Sequence, residues 1–209
     1  DDYLKTFNRP NVHLVETQGQ GVERVTPKGV VAGGELYELD CLIFATGFEM
    51  GTNYSSRAGY RIVGREGRTL DEAWSNGVRT MHGMHIHGFP NLFMMSIAQS
   101  GFTVNFPYTF DLQAQHIAWI IERAQARDWK RLEVTAEAEA AWVDEIVARG
   151  GQSSEFSENC TPGYYNNEGT ADAKNRQGGF FIGGPTEFAE RLEAWRAAEK
   201  FEGLESRGA

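Results

Sequence analysis

A chain of 209 residues can hold one large domain or two small ones, and 41% hydrophobic with 23% charged residues is ordinary for a globular fold. Its 29 acidic residues against 20 basic ones leave a net charge of −9, which argues against a nucleic acid or an anionic membrane as main partner. The longest apolar run, residues 92–98, is too short to cross a bilayer, no signal peptide is visible, and Cys41 and Cys160 read as free thiols in a reducing cytoplasm.

Residues 11–39 read as a β-meander. Strand candidates at 11–16, 22–25 and 30–31 are separated by Thr26-Pro27-Lys28-Gly29, with Pro at the second turn position, and closed by Gly33-Gly34. Residues 41–45 then form an uncharged apolar run ended by Thr46-Gly47. This predicts a strand buried on both faces of a parallel sheet, with small residues where a ligand comes close to the backbone.

Residues 50–80 are loop-rich, and Leu70, Ala73 and Trp74 share one face of a short helix. A second apolar run at 91–98 predicts another central strand, ending at Gln99-Ser100-Gly101. A long helix follows, capped by Asn105 with Pro107 in its first turn and an apolar stripe of Ile117, Ile120, Ile121 and Ala124. A second helix starts near Thr135, faces Trp142, Val143, Ile146 and Val147 inward, and stops at Gly150-Gly151. A third starts near Thr186 with Phe188, Leu192 and Trp195 on one stripe. Residues 152–178 form a long polar loop, the kind that covers a ligand or simply connects.

Several clusters invite chemistry. His82, His85 and His87 fall close together, but with no Cys or acid cluster beside them they read as solvated or hydrogen-bonded histidines, and no metal is expected. Ser96, Ser100 and His116 lack the G-x-S-x-G elbow of a serine hydrolase. Trp119, Trp142 and Trp195 lie on helical stripes and read as core. The junction from Gln99 to Asn105, between strand and helix N-terminus, offers backbone N–H groups and a positive dipole end to a phosphate or an electron-rich ring. An ordinary connecting loop has the same composition. Tyr164, Tyr165 and Asn166 sit in a stretch of turn formers, aromatics and amides suited to covering a polar cofactor.

Taken in order, these segments resemble the C-terminal part of the flavin-containing Baeyer–Villiger monooxygenases. Phe7-Asn8-Arg9-Pro10-Asn11-Val12 is similar to the family's Y/F-N-R-x-N-V stretch, and Glu38-Leu39-Asp40 leading to Ala45-Thr46-Gly47-Phe48-Glu49 to E-L-D…A-T-G-F-D. Trp74 followed by Phe89-Pro90-Asn91 resembles W…F/Y-P-N, Gln115 to Ile120 resembles Q-x-x-W-I, and Phe181-Ile182-Gly183-Gly184 and Phe201-Glu202-Gly203 resemble its terminal motifs.

The resemblance implies an α/β fold, the C-terminal part of a two-dinucleotide-binding-domain (Rossmann-like) flavoprotein using FAD and NADPH. Residues 1–39 would end the NADPH-binding domain. Residues 40–209 would belong to the FAD-binding domain, with a mobile loop at about 152–178. It implies cofactor-binding roles for Thr46, Gly47, Gln99, Ser100, Val104, Asn105 and Phe106, and a place over NADPH for Tyr164, Tyr165 and Asn166, where many relatives have Trp. The activity implied is insertion of one atom of dioxygen beside the carbonyl of a small apolar or cyclic ketone, giving an ester or lactone. Oxidation of amines or sulfides is the alternative within the same flavin chemistry. A non-catalytic fragment that only folds and associates is the alternative outside it. The glycine-rich G-x-G-x-x-G fingerprints and the family's active-site arginine are absent from the chain. A longer enzyme is therefore expected, with its catalytic residues upstream and its N-terminal half as partner.

Overall fold

The computed structural model describes residues 2–46, 58–150 and 177–207. The chain divides into two compact units, Asp1–Phe48 and Glu49–Ala209.

The first unit opens with a one-turn helix, α1 (Tyr3–Thr6), and contains the meander that the turn signals predict: β1 (Arg24–Thr26), β2 (Gly29–Ala32) and β3 (Glu35–Glu38). The sheet is antiparallel in the order β1-β2-β3. Ala32 pairs with Glu35 across Gly33-Gly34, whose φ values are +59° and +79°. Both central residues of this two-residue turn are left-handed, a geometry that matches strand twist and that glycine adopts without strain. Val31 and Ala32 are buried.

Two sequence expectations fail in this unit. Residues 11–16 are irregular, and the buried strand expected at 41–45 does not form. Ile43 is 82% and Phe44 77% exposed. An apolar strand is interior only where neighbouring strands pair with both its edges, and none of the described residues pairs with 41–46. Its sequence carries the pattern of a central strand without the sheet that would receive it.

The second unit holds α2 (Leu70–Ala73), α3 (Phe106–Ala126), β4 (Arg131–Val134), α4 (Ala136–Ala148), α5 (Gly184–Ala198) and β5 (Leu204–Arg207). Helix α2 starts on a capping box in which Thr69 accepts from the Glu72 N–H at 3.2 Å and the Glu72 carboxylate accepts from the Thr69 N–H at 2.7 Å. Helix α4 is capped by Thr135, which accepts from the Ala138 N–H at 3.1 Å. Met84, Trp142, Ile146, Phe181, Phe188 and Leu192 form one core cluster, and Leu70, Ile86, Phe89 and Met94 another. The β4–β5 antiparallel pair was not foreseen, since its short, charge-interrupted strands carry too little periodicity to stand out.

The second expected central strand, at 91–98, is also absent. Residues 78–104 run through this unit with only isolated bridges, Met81 to His85, His85 to Phe93 and Gly101 to Phe181. Residues 81–86 are nevertheless buried. A buried backbone must pair its N–H and C=O groups, and without a sheet scattered backbone bonds, such as Met94 N–H to the Met84 carbonyl at 2.9 Å, are supplemented by side chains. Asn91 acts as a surrogate strand residue beside β4: its Oδ1 accepts from the Leu132 N–H at 2.9 Å and its Nδ2 donates to the Lys130 carbonyl at 3.0 Å. Glu139 from α4 accepts from the His87 N–H at 2.9 Å and from Arg79 Nε at 3.1 Å. Glu133 from β4 accepts from the Gly88 N–H at 2.9 Å and is ion-paired with Arg65 at 2.7 Å and Arg131 at 2.7 Å. Burial alone would push the Glu133 carboxyl up, but the Arg131 and Gly88 bonds and the Arg65 charge together hold it below its ordinary value.

Glu139→Leu leaves the His87 N–H and the Arg79 guanidinium without their acceptor. It should cost about 3 kcal/mol in urea unfolding, the scale of breaking a buried ion pair from one side. Glu139→Gln, which keeps an acceptor for the N–H, should cost less than half as much.

Candidate functional site

The start of helix α3 is exposed. Asn105 takes the N-cap position but makes no side-chain cap bond, and Pro107 occupies the first turn. The capping role expected of the Asn105 side chain is therefore not played in this structure; its N–H donates to Thr103 Oγ1 at 3.3 Å instead. Around this uncapped end, Val104 is 91% exposed, Phe106 42% and Tyr108 43%. Phe102 stacks on Phe180 with ring centroids 4.2 Å apart and meets Phe106 at 5.9 Å. The Asn105 N–H is taken by Thr103, the Tyr108 N–H by the Asn105 carbonyl at 3.1 Å, and Pro107 has none, so the end of α3 combines the N–H groups of Val104 and Phe106, a positive dipole end and an aromatic and apolar rim.

Behind this rim the chain is tied down. Gln99 is fully buried with φ +57°. Its Oε1 accepts from the Thr80 N–H at 2.9 Å and from Thr80 Oγ1 at 2.6 Å, and its Nε2 donates to the carbonyls of Val78 at 2.8 Å and Gln177 at 2.7 Å. Its own N–H donates to the Gly179 carbonyl at 2.8 Å, and its carbonyl accepts from Trp142 Nε1 at 3.0 Å. Ser100 is also fully buried; its Oγ donates to the Ser96 carbonyl at 2.8 Å, and its carbonyl accepts from the Phe181 N–H at 2.9 Å. These bonds also remove Ser100 from any nucleophilic role. Gly101 touches Phe188 so closely that a Cβ would lie 2.7 Å from the Phe188 Cβ, so only glycine fits.

The structure therefore sorts the expected site residues. Val104, Asn105 and Phe106 lie at the exposed end of α3. Gln99 and Ser100 lie behind it, with side chains already bonded to protein. Thr46 is exposed and belongs to the first unit. Gly47, Tyr164, Tyr165 and Asn166 lie outside the described residues.

The histidines depart from expectation. His82 and His85 are buried, together with His116 from α3. The His82 and His116 rings lie 5.8 Å apart and those of His85 and His116 6.3 Å, with His82 4.8 Å from Trp142 and His116 5.1 Å from Trp195. Loss of water pushes all three down, His82 to about 3, His85 to about 4 and His116 to about 2; the mutual repulsion of the rings and the nearby Arg191 and Arg196 push His82 and His116 further. They are neutral core imidazoles. Only His87 keeps a half-exposed position, with Nδ1 2.8 Å from the Val134 carbonyl. No group of His, Cys, Asp or Glu among the described residues could hold a metal. No helix among them is long and apolar enough to cross a membrane.

The comparisons with known proteins point one way. No family model matches the chain. Over 99% of its length it is 49% identical to pentalenolactone D synthase of Streptomyces exfoliatus, covering 36% of that protein. It is 42% identical to an FAD-binding monooxygenase of Hypomyces subiculosus, over 98% of the chain and 34% of the relative. It is 40% identical to Baeyer–Villiger monooxygenase 4 of a Dietzia species, over 98% and 33%. Its fold superposes on the polycyclic ketone monooxygenase of Thermothelomyces thermophila with a TM-score of 0.81 at 38% identity, over the whole chain and 34% of that structure. By sequence and by fold, the chain is similar to about a third of the length of proteins named as Baeyer–Villiger and related monooxygenases. A steroid monooxygenase solved with NADP bound gives a TM-score of 0.79 at 31% identity, over the whole chain and 38% of that protein. The chain spans about a third of the length of the curated relatives it matches. The correspondence is to the C-terminal part of these two-dinucleotide-domain flavoproteins, as the motifs imply.

Because the three imidazoles are neutral when folded and protonate when unfolded, the unfolded chain binds more protons once pH drops below 6.5. Stability should be full above that pH and fall as pH is lowered, by roughly 1.4 kcal/mol per pH unit for each imidazole. His116→Phe should flatten the slope between pH 6.5 and 5 by one such increment, measured by urea unfolding at each pH.

Proposed function

We propose that this chain is the C-terminal portion of an FAD- and NADPH-dependent Baeyer–Villiger monooxygenase, which inserts one oxygen atom of dioxygen beside a ketone carbonyl to give an ester or lactone. The observation that carries this reading is the uncapped, exposed N-terminus of α3 with its aromatic rim, held on an immobilised loop. A flavin ring is planar, apolar on its faces and electron-rich along one edge. Free N–H groups at a helix start suit that edge, and the Phe102–Phe180 stack beside Phe106 suits an aromatic neighbour. The residues present therefore fit the group.

In this reading the backbone N–H groups of Val104 and Phe106, with the Asn105 side chain that makes no cap bond, orient the flavin edge, and the side chains of Val104, Phe106 and Tyr108 exclude water from it. Thr46 and Gly47 are assigned to FAD binding, and Tyr164, Tyr165 and Asn166 to NADPH. Bound FAD, reduced by NADPH, supplies redox chemistry that no amino-acid side chain offers. No residue of this chain is assigned a catalytic role. Residues 1–39 end the NADPH-binding domain and residues 40–209 belong to the FAD-binding domain. The remaining portion of the enzyme is the partner, the substrate is a small apolar or cyclic ketone, and the compartment is the cytoplasm. The exposed Leu42, Ile43 and Phe44 support the need for that remaining portion, since they form an apolar strand sequence with nothing paired to it among the described residues.

The test is purification of the full-length protein and assay with NADPH, dioxygen and a panel of cyclic ketones, amines and sulfides. Flavin absorbance, ketone-dependent NADPH oxidation and a product one oxygen heavier than the ketone are expected. Turnover confined to amines or sulfides would contradict the ketone reading, and an intact protein without flavin would contradict the cofactor. Within the active enzyme, Phe106→Ala should raise KM for apolar ketones ~10-fold, the worth of a buried apolar contact.

A further inference from the structure

We propose that Gln99 is a positioning residue, whose amide fixes the loop in front of α3 and thereby sets where the helix N-terminus meets the cofactor; this rests on the flavin reading above. Gln99 holds a left-handed backbone, φ +57°, which is unfavourable for a residue with a Cβ and persists only where the surroundings impose it. The surroundings are three segments that share no regular element. Residues 78–80 meet the side chain on both its oxygen and its nitrogen. Residues 177–181 take Nε2 through the Gln177 carbonyl, the Gln99 N–H through the Gly179 carbonyl, and the Ser100 carbonyl through the Phe181 N–H. Trp142 from α4 takes the Gln99 carbonyl.

The side-chain chemistry required is specific. Two donors must face the carbonyls of Val78 and Gln177, while one oxygen must accept from both groups of Thr80. Only an amide of this length does both. A carboxylate would aim an oxygen at two carbonyls, and an apolar residue would deprive the buried Thr80 N–H and the part-buried Val78 and Gln177 carbonyls of this partner. The consequence reaches the site through a short, stiff link. Gly101 lies against Phe188, and Thr109, inside the first turns of α3, donates its Oγ1 to the Gly101 carbonyl at 3.0 Å. A shift at Gln99 is thus passed to Gly101 and to the helix start rather than absorbed.

The experiment uses the full-length, FAD-loaded enzyme with Gln99→Glu, Thr80→Val and Thr80→Ser. In the folded, flavin-containing fraction, Gln99→Glu should lower the yield of ester per NADPH consumed ~10-fold, as small misplacements of reacting groups do, and should shift the flavin visible band. Thr80→Val, which keeps volume but loses the hydroxyl, should move both in the same direction by less, and Thr80→Ser should restore them. A residue that only stabilised the fold would lower the melting temperature and leave coupling and spectrum unchanged. That outcome in Gln99→Glu, or in Thr80→Val if Gln99→Glu does not fold, overturns the proposal. Amide hydrogen exchange at residues 99–101 and 179–181 gives a readout independent of turnover. Faster exchange in Gln99→Glu or Thr80→Val supports the proposal and unchanged exchange overturns it, whereas a wild-type protein without flavin overturns the functional reading alone.

Discussion

The second unit depends on how a buried, irregular backbone is kept hydrogen-bonded. Residues 78–104 run without a regular sheet, with 80–86 and 99–101 buried, yet an unpaired buried peptide group costs roughly as much as several ordinary contacts contribute. Besides scattered backbone bonds, the partners are side chains: Glu133 from β4, Glu139 and Trp142 from α4, and from within the segment itself Gln99 and Thr80. Each fixes the segment at one point. Apolar packing of Met84, Phe181 and Phe188 closes the core around them, but it is non-directional and could not by itself choose this path for the chain.

That scheme explains the contrast at the start of α3. The residues just behind the helix are immobilised by bonds that leave them nothing to offer a ligand, and the residues at its end are exposed and uncapped. A rigid support beneath an unsatisfied surface is what a preorganised binding site requires. The buried histidines belong to the support. With His82, His85 and His116 neutral and among tryptophans, they fill polar space in the core, and their charging at low pH is a liability of the same polar interior.

The sequence carried the helices well, because Thr135, Pro107 and the stripes through Trp142, Ile146, Phe188 and Leu192 act locally. It carried the meander through Pro27 and Gly33-Gly34 for the same reason. The apolar runs at 41–45 and 91–98 misled. Hydrophobicity signals burial, but whether a run pairs as a strand is decided by partners distant in sequence. One run has no partner among the described residues and the other makes single backbone bonds to Leu132, Phe89 and Met84 and one isolated bridge instead of a ladder. The buried histidines were missed because His85 and His87 show strand alternation, whereas the bury-or-expose choice was made by His116, Trp142 and Trp195. Of the proposed site, the turn and the helix start at the Gln99–Phe106 junction were legible as local structure from the small residues and Pro107. The division between supporting and presenting residues was not, because it depends on contacts with residues 78–80 and 177–181.

The central claim is that the uncapped start of α3 is presented to an electron-rich cofactor edge. A crystal structure of the full-length protein with FAD bound tests it most directly. The flavin ring edge is expected within hydrogen-bonding distance of the backbone N–H groups of Val104 and Phe106, with Gln99 still bonded to Thr80, Val78 and Gln177. A flavin bound away from α3, with that helix start facing solvent or capped by protein, would contradict it.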